Sequence, residues 1–129
     1  MLNQLGNYSL FFGLIISIII IFFSLDNLKI KKTFISEKIL SFISLQLFFV
    51  LLSFLSLICS FIISDFSNNT VYNNSHSTKP LFYKISGTWG NHEGSLLLWL
   101  LVLTLFIFIF IIKSNNQPKK YRILTLLFQ

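Results

Sequence analysis

The chain has 129 residues, of which 54% are apolar and only 11% charged, and carries a formal net charge of +6. Length alone allows one soluble domain, but a domain this small has no outer shell to cover helices that are apolar on every side, so an ordinary water-soluble fold is excluded. Nucleic acid is not the expected partner either, because the basic residues flank apolar stretches and are not interleaved with aromatic platforms.

The charges leave three uncharged stretches, Met1 to Leu25, Ile39 to Ser64 and Gly94 to Ile112. A helix crosses a hydrocarbon core of roughly 30 Å with about 20 residues, and all three stretches are that long. The expected fold class is an all-α membrane protein with three transmembrane helices in the lipid bilayer, at about residues 8–25, 39–64 and 94–112. An outward loop at 65–93 carries a short interfacial helix, and a basic tail occupies 113–122.

The first helix is expected from Tyr8 to Leu25, ending at Asp26 and Asn27. No basic region precedes it, and Ser24 to Lys29 shows no small-residue cleavage pattern, so the span reads as a retained helix and not as a signal peptide. Gly13 and Ser17, four apart, form a small pair that lets another helix approach. Lys29, Lys31, Lys32 and Lys38 crowd the first connection, Lys113, Lys119, Lys120 and Arg122 follow the third span, and the longer middle loop holds only Lys79 and Lys84. By the positive-inside rule both dense clusters face the cytoplasm or matrix, which places the amino terminus and the 65–93 loop outward.

On the second helix Gln46, Ser53, Ser56 and Ser60 recur at intervals of seven, three and four, drawing one polar seam. Lipid tails offer such a seam nothing, so it is expected to face protein as a helix-packing surface. The alternative is that each serine bonds back to its own helix carbonyls. Cys59, the one cysteine, lies in the same span and is expected to be a small packing residue, leaving no disulfide framework and no thiol metal site.

The middle loop divides into two parts. Ser67 to Ser77 is rich in Asn and Ser and reads as an irregular polar loop. In Lys79 to Gly94, Pro80 opens a short helix, Leu81, Ile85 and Trp89 share one of its faces, and Gly87 or Gly90 ends it, with Tyr83 and Trp89 as interfacial anchors. Asn91 or His92 then caps the third helix, Glu93 is favoured in its first turn by the helix dipole, and His92, Ser95, Leu96 and Trp99 share a face. Taken alone, this describes a capped, tryptophan-anchored helix start with no ligand. Beyond Ser95 the third span has one polar side chain, Thr104, and so no internal route for ions. The tail is expected to turn at Asn115, Asn116 and Pro118 and to begin a fourth span at Ile123 to Phe128.

The chain has no alanine and one arginine, a bias that suggests an A+T-rich coding sequence. A mitochondrion-encoded protein is the expected source, an A+T-rich bacterium the alternative. In either, the glycosylation triplets Asn68-Asn69-Thr70 and Asn73-Asn74-Ser75 stay bare.

The string from Tyr83-Lys84-Ile85-Ser86 through Trp89-Gly90-Asn91-His92-Glu93-Gly94-Ser95-Leu96-Leu97-Leu98-Trp99 resembles the first outward loop and third helix of CcmF-type cytochrome c haem lyases. The opening Gly6-Asn7-Tyr8-Ser9-Leu10 and the order of spans are also similar to that family's amino-terminal part, so the resemblance covers nearly the whole chain. It implies cytochrome c maturation, in which haem is taken from a carrier chaperone and joined through its vinyl groups to the thiols of an apocytochrome c Cys-x-x-Cys-His motif. The family's tryptophan-rich haem-handling segment and its haem-ligating histidines lie mostly further along, and no histidine follows Glu93 here. The resemblance therefore implies a fragment of the split mitochondrial kind, in the inner membrane with loop 65–93 in the intermembrane space, or in a bacterial plasma membrane with the loop periplasmic. Its implied partners are other CcmF pieces and cytochrome c maturation subunits.

The haem-side candidates are Trp89, His92, Glu93 and Trp99, with aromatic faces to pack on a porphyrin and a His-Glu pair to fix the loop. His76 and His92 are both outward and would offer two imidazoles, although His76 sits in the Asn/Ser stretch and reads as a solvated loop residue. Glu93 has Lys84 or a partner's basic group as its expected counter-charge, and one carboxylate does not make a catalytic constellation, so the chain's own part in any reaction stays open. The competing function is a non-catalytic structural subunit that packs helices in a larger inner-membrane, respiratory assembly.

The orientation is tested by labelling. With Cys59 replaced by serine, a Ser77→Cys thiol is expected to react with an impermeant maleimide added to the outer face, and a Lys120→Cys thiol only after permeabilisation; the opposite pattern overturns the topology.

Overall fold

The computed structural model describes residues 2–29, 36–114 and 118–128. Lys31 and Lys32, and the turn expected at Asn115 and Asn116, lie outside the described residues. The chain is all-helical among those residues: α1 (Leu2–Lys29), α2 (Ser36–Ile62), α3 (Asn69–Asn74), α4 (Leu81–Gly87), α5 (His92–Lys113) and α6 (Lys119–Leu127). Three of these, α1, α2 and α5, are long and apolar enough to cross a membrane.

The first helix starts six residues earlier and ends later than the charge pattern suggests, because Asn3, Asn7 and Asp26 do not interrupt a helix that continues past the lipid boundary. At 1.5 Å per residue its 28 residues extend about 42 Å, so both ends reach beyond a roughly 30 Å hydrocarbon core, where polar side chains are solvated.

The long helices α1 and α2 form the principal contact of the molecule. Along α1 the buried positions are Gly6, Ser9, Gly13, Ile16, Ile20 and Ser24, three or four apart; along α2 they include Ile39, Ile43, Gln46, Val50, Ser53 and Ser60 at matching intervals. That spacing keeps one stripe of each helix facing the other over many turns. The contact changes character along its length. At the end where α1 begins it is small and polar: a Cβ built on Gly6 would lie 3.0 Å from the Ser56 hydroxyl, and one on Gly13 would lie 3.5 Å from Val50. Ser56 Oγ donates to the Leu2 carbonyl across the two helices at 2.5 Å. Toward the other end Ile16, Ile20, Ile39 and Ile43 join Ile111 of α5 and Leu126 of α6 in one core. Phe12 lies against Phe49 and Phe23 against Phe42, with ring centroids 5.6 and 5.7 Å apart. Because lipid tails are as apolar as these side chains, dispersion and close approach, and not expulsion of water, hold the pair together.

The third spanning helix, α5, packs on α2 and exposes most of its remaining surface, as expected of a helix bathed in lipid. Beyond it α6 folds back onto α1 through the buried Ile123 and Leu126, and Arg122 donates to the Ile111 carbonyl at 3.4 Å near the end of α5. Cys59 does not pack as expected; it is exposed, on the side of α2 turned away from the core.

Close approach at Gly13 gives a test. Gly13→Ile forces side-chain atoms into Val50 and Phe49, and is expected to destabilise the α1–α2 pair by about 1–3 kcal/mol, the usual penalty of overpacking. Detergent-denaturation midpoints should fall for this variant and hold for Phe11→Ile, whose side chain is exposed.

Candidate functional site

The segment between α2 and α5 is more regular than its composition suggests, and it is tied to the end of α2 through Lys84 and Gly87. The second helix stops in a left-handed turn: Ser64 has φ 56°, Asp65 N–H donates to the Ser60 carbonyl at 2.9 Å and Ser64 N–H to that of Phe61 at 3.2 Å. This is the pair of bonds by which helices end on a glycine, here made by a serine at a cost of about 1–2 kcal/mol. Lys84 reaches from α4 to donate to the Ser64 hydroxyl at 2.6 Å, and not to Glu93 as expected. The Asp65 carboxylate accepts from the Ser67 hydroxyl at 2.6 Å and from the Ser67 N–H at 3.1 Å, bonds that hold its carboxyl below the usual range.

Residues 69–74, expected to be irregular, form α3. The reason is local: Asn68 caps the helix by accepting from Thr70 N–H at 3.0 Å, and Val71 is fully buried beneath it. Pro80 opens α4 and Gly87 ends it, as read from the sequence, but Trp89 falls beyond the helix and does not extend its Leu81–Ile85 face. Gly87 rests on the buried ring of Phe61, which a Cβ there would meet at 3.4 Å.

The turn from Thr88 to Gly94 is held by several side-chain bonds and one close backbone contact. Asn91 is buried, donates to the carbonyls of Gly87 and Thr88 at 2.8 and 3.2 Å, and accepts from Gly94 N–H at 2.6 Å, which makes it the cap of α5. One amide thus closes α4 and opens α5. Thr88 is fully buried, its hydroxyl donating to Ile85 at 2.7 Å. Gly94 is required by packing: an added Cβ would lie 1.5 Å from the Thr88 carbonyl oxygen. No sequence pattern announces that contact, since Gly94 has an ordinary helical backbone.

This turn distributes the haem-side candidates over two surfaces. Trp89 and His92 are exposed at the turn, and Trp99 is exposed two helical turns down α5, on the same side as His92. Neither tryptophan has a ring partner among the described residues. Glu93 points elsewhere, into a cleft of about 400 Å³ between the start of α1, the seam of α2 and the first turns of α5. His76 is exposed between α3 and α4. Among the described residues no group of three or more His, Cys, Asp or Glu is placed to hold a metal ion. For a planar apolar group such as haem, two free indole faces and an exposed imidazole are a fitting edge, but they enclose nothing, so this chain's residues would hold one side only.

The seam residues Gln46, Ser53, Ser56 and Ser60 are all buried. Ser56 bonds across to α1 and Ser60 back to Ser56, so both arrangements weighed for this seam occur in it. The buried Gly6 and Ser9 of α1 were missed because neither repeats as a visible polar pattern; of the Gly13 and Ser17 pair that signalled a packing face, Gly13 is buried and Ser17 half-buried.

Comparison with known proteins supplies the family relation. The cytochrome c-type biogenesis protein CycK of Bradyrhizobium diazoefficiens is 40% identical over 122 residues, 95% of this chain and 18% of the relative. CcmF of Haemophilus influenzae, also a cytochrome c-type biogenesis protein, is 34% identical over 125 residues, 93% of this chain and 18% of the relative. The chain is similar to the CcmF and CycK proteins. The cytochrome c-type biogenesis protein ccl1 of Rhodobacter capsulatus matches a shorter stretch, 53% identical over 57 residues, 44% of this chain and 9% of the relative. The resemblance to CcmF-type proteins read from the Trp89–Trp99 string therefore holds, and the chain spans less than a fifth of the length of these relatives. These relatives are bacterial. No protein-family profile matches the chain, and no solved structure matches it.

Substitution at Gly94 separates packing from chemistry. Gly94→Ala is expected to displace the Thr88 carbonyl and break the Asn91 cap, costing about 1–3 kcal/mol and making the 88–94 turn cleavable by protease from the outer face. Gly90→Ala meets nothing nearer than 3.4 Å and should leave the turn resistant.

Proposed function

We propose that this chain acts in cytochrome c maturation as part of a CcmF-type haem lyase, presenting Trp89, His92 and Trp99 at the outer membrane boundary to one side of haem, with Glu93 on the adjoining surface. The reading is carried by the similarity to cytochrome c-type biogenesis proteins over 95% of the chain. The exposed tryptophans on the side of His92 support it, because Trp89 at the boundary and Trp99 two turns below it present aromatic faces on which a planar ring can pack.

The residues of the chain have positional work in this scheme. The Asn91 cap and the Gly94–Thr88 contact fix the turn, so Trp89 and His92 are presented from a rigid base. Haem, when bound, supplies the vinyl carbons that take the cysteine thiols of the apocytochrome. The remaining coverage and the axial ligation come from partner chains, the other CcmF pieces and maturation subunits, with a haem chaperone delivering and apocytochrome c receiving. We place the chain in the mitochondrial inner membrane with loop 65–93 toward the intermembrane space, on the strength of the alanine-free, A+T-type composition; a bacterial plasma membrane with a periplasmic loop accords with the source of the relatives.

Covalent haem staining of c-type cytochromes measures the function directly. The double variant Trp89→Ala/Trp99→Ala, with the chain still present at normal level, is expected to lower mature cytochrome c at least about tenfold, the loss of roughly 1.4 kcal/mol of contact, while His92→Ala lowers it less. Unchanged maturation in the double variant and in His92→Ala would leave the structural-subunit reading in its place.

A further inference from the structure

The cleft that receives Glu93 continues inward. A second, smaller cavity of about 220 Å³ shares Leu10 and Leu100 with it and reaches Thr104 and Ile107, so one groove runs between α1 and α5 over the floor of α2. From Glu93 to Ile107 it follows α5 for fourteen residues, about 21 Å at helical rise. That is most of the way across a membrane.

Two features of the groove ask for a protein occupant and not a lipid chain. Ser53 is 5% exposed, lines the groove, and has no hydrogen-bond partner among the described residues, although a hydroxyl at that depth has only protein to bond to. Glu93 is the one charged residue on the groove wall and forms no ion pair among the described residues, so the outer mouth carries a carboxylate without a counter-charge. An acyl chain answers neither feature. A helix does, if it brings a Lys or Arg to the outer boundary and a hydrogen-bonding residue roughly two to three turns below it.

We infer that the α1–α5 groove seats a transmembrane helix of a partner polypeptide, its basic residue paired with Glu93 and its packing face set on Leu10 and Leu100 above the Ser53 hydroxyl. The inference rests on the maturation reading only for the source of that helix, the sequence that the relatives carry beyond the matched 18%.

Photo-crosslinking in native membranes tests it. Benzoylphenylalanine placed at Leu10 or Leu100, which line the groove from opposite walls, is expected to give one and the same protein adduct, at least about fivefold more than from Phe106, which is exposed outside it. Peptide mapping should find an apolar segment with a Lys or Arg at its outer end. Glu93→Lys should lower the adduct several-fold with the chain still inserted, and Ser53→Leu, which fills the floor, should do the same, while Ser53→Ala keeps most of it. Lipid adducts alone, a homodimer adduct, equal yield from Phe106, or indifference to both Glu93→Lys and Ser53→Leu overturns the groove as a helix seat. An adduct with a helix from a protein unconnected with cytochrome c maturation keeps the seat and removes the maturation reading; a maturation defect in the tryptophan variants without any groove adduct does the reverse.

Discussion

Helices in hydrocarbon satisfy their own backbones, so what remains to be settled in this molecule is where its few polar side chains go. Water is not available to them across most of α1, α2 and α5, and each must find a neighbour, fold back on its own helix, or lie at the boundary. Ser9, Ser60 and Thr104 fold back onto carbonyls within their own helices. Ser56 crosses to the backbone of α1, which is possible only because Gly6 leaves room for it. The α1–α2 pair is thus built from smallness at one end and from isoleucine at the other, and α4, α5 and α6 each pack on that pair.

The outer surface follows from the same economy. α2 ends in a turn that a glycine would make more easily, and the Lys84 bond to Ser64 ties α4 to that end. Phe61 beneath Gly87 fixes the angle at which α4 leaves α2. Asn91 then joins the end of α4 to the start of α5, with Gly94 admitting the Thr88 carbonyl. Trp89 and His92 are presented by a turn held from within by the Asn91 and Thr88 side-chain bonds.

Two surfaces of different character emerge on either side of α5. One carries Trp99 below His92 and is aromatic and open; the other carries Glu93, Leu97 and Leu100 and closes into a groove with α1 and α2. The Asn91 cap sets where α5 begins, and the packing of α5 on α2 sets which of these two faces looks into the groove.

Spans, their apolar character and the polar seam of α2 were legible in the amino-acid order, because charge-free runs and heptad-like spacing report on lipid and on helix faces directly. The start of α5 was legible too, since Asn91, Glu93 and the leucine run are a local signal. Other features depended on residues far apart in the chain: the helix at 69–74 needed a burial site for Val71, the exposure of Cys59 needed the rotation of α2 against α1, and the separation of Glu93 from His92 needed α5 to lie on α2 and not on α1. Local order writes the period of a helix; which side of it meets protein is decided only when a neighbour close enough to exclude lipid is in place.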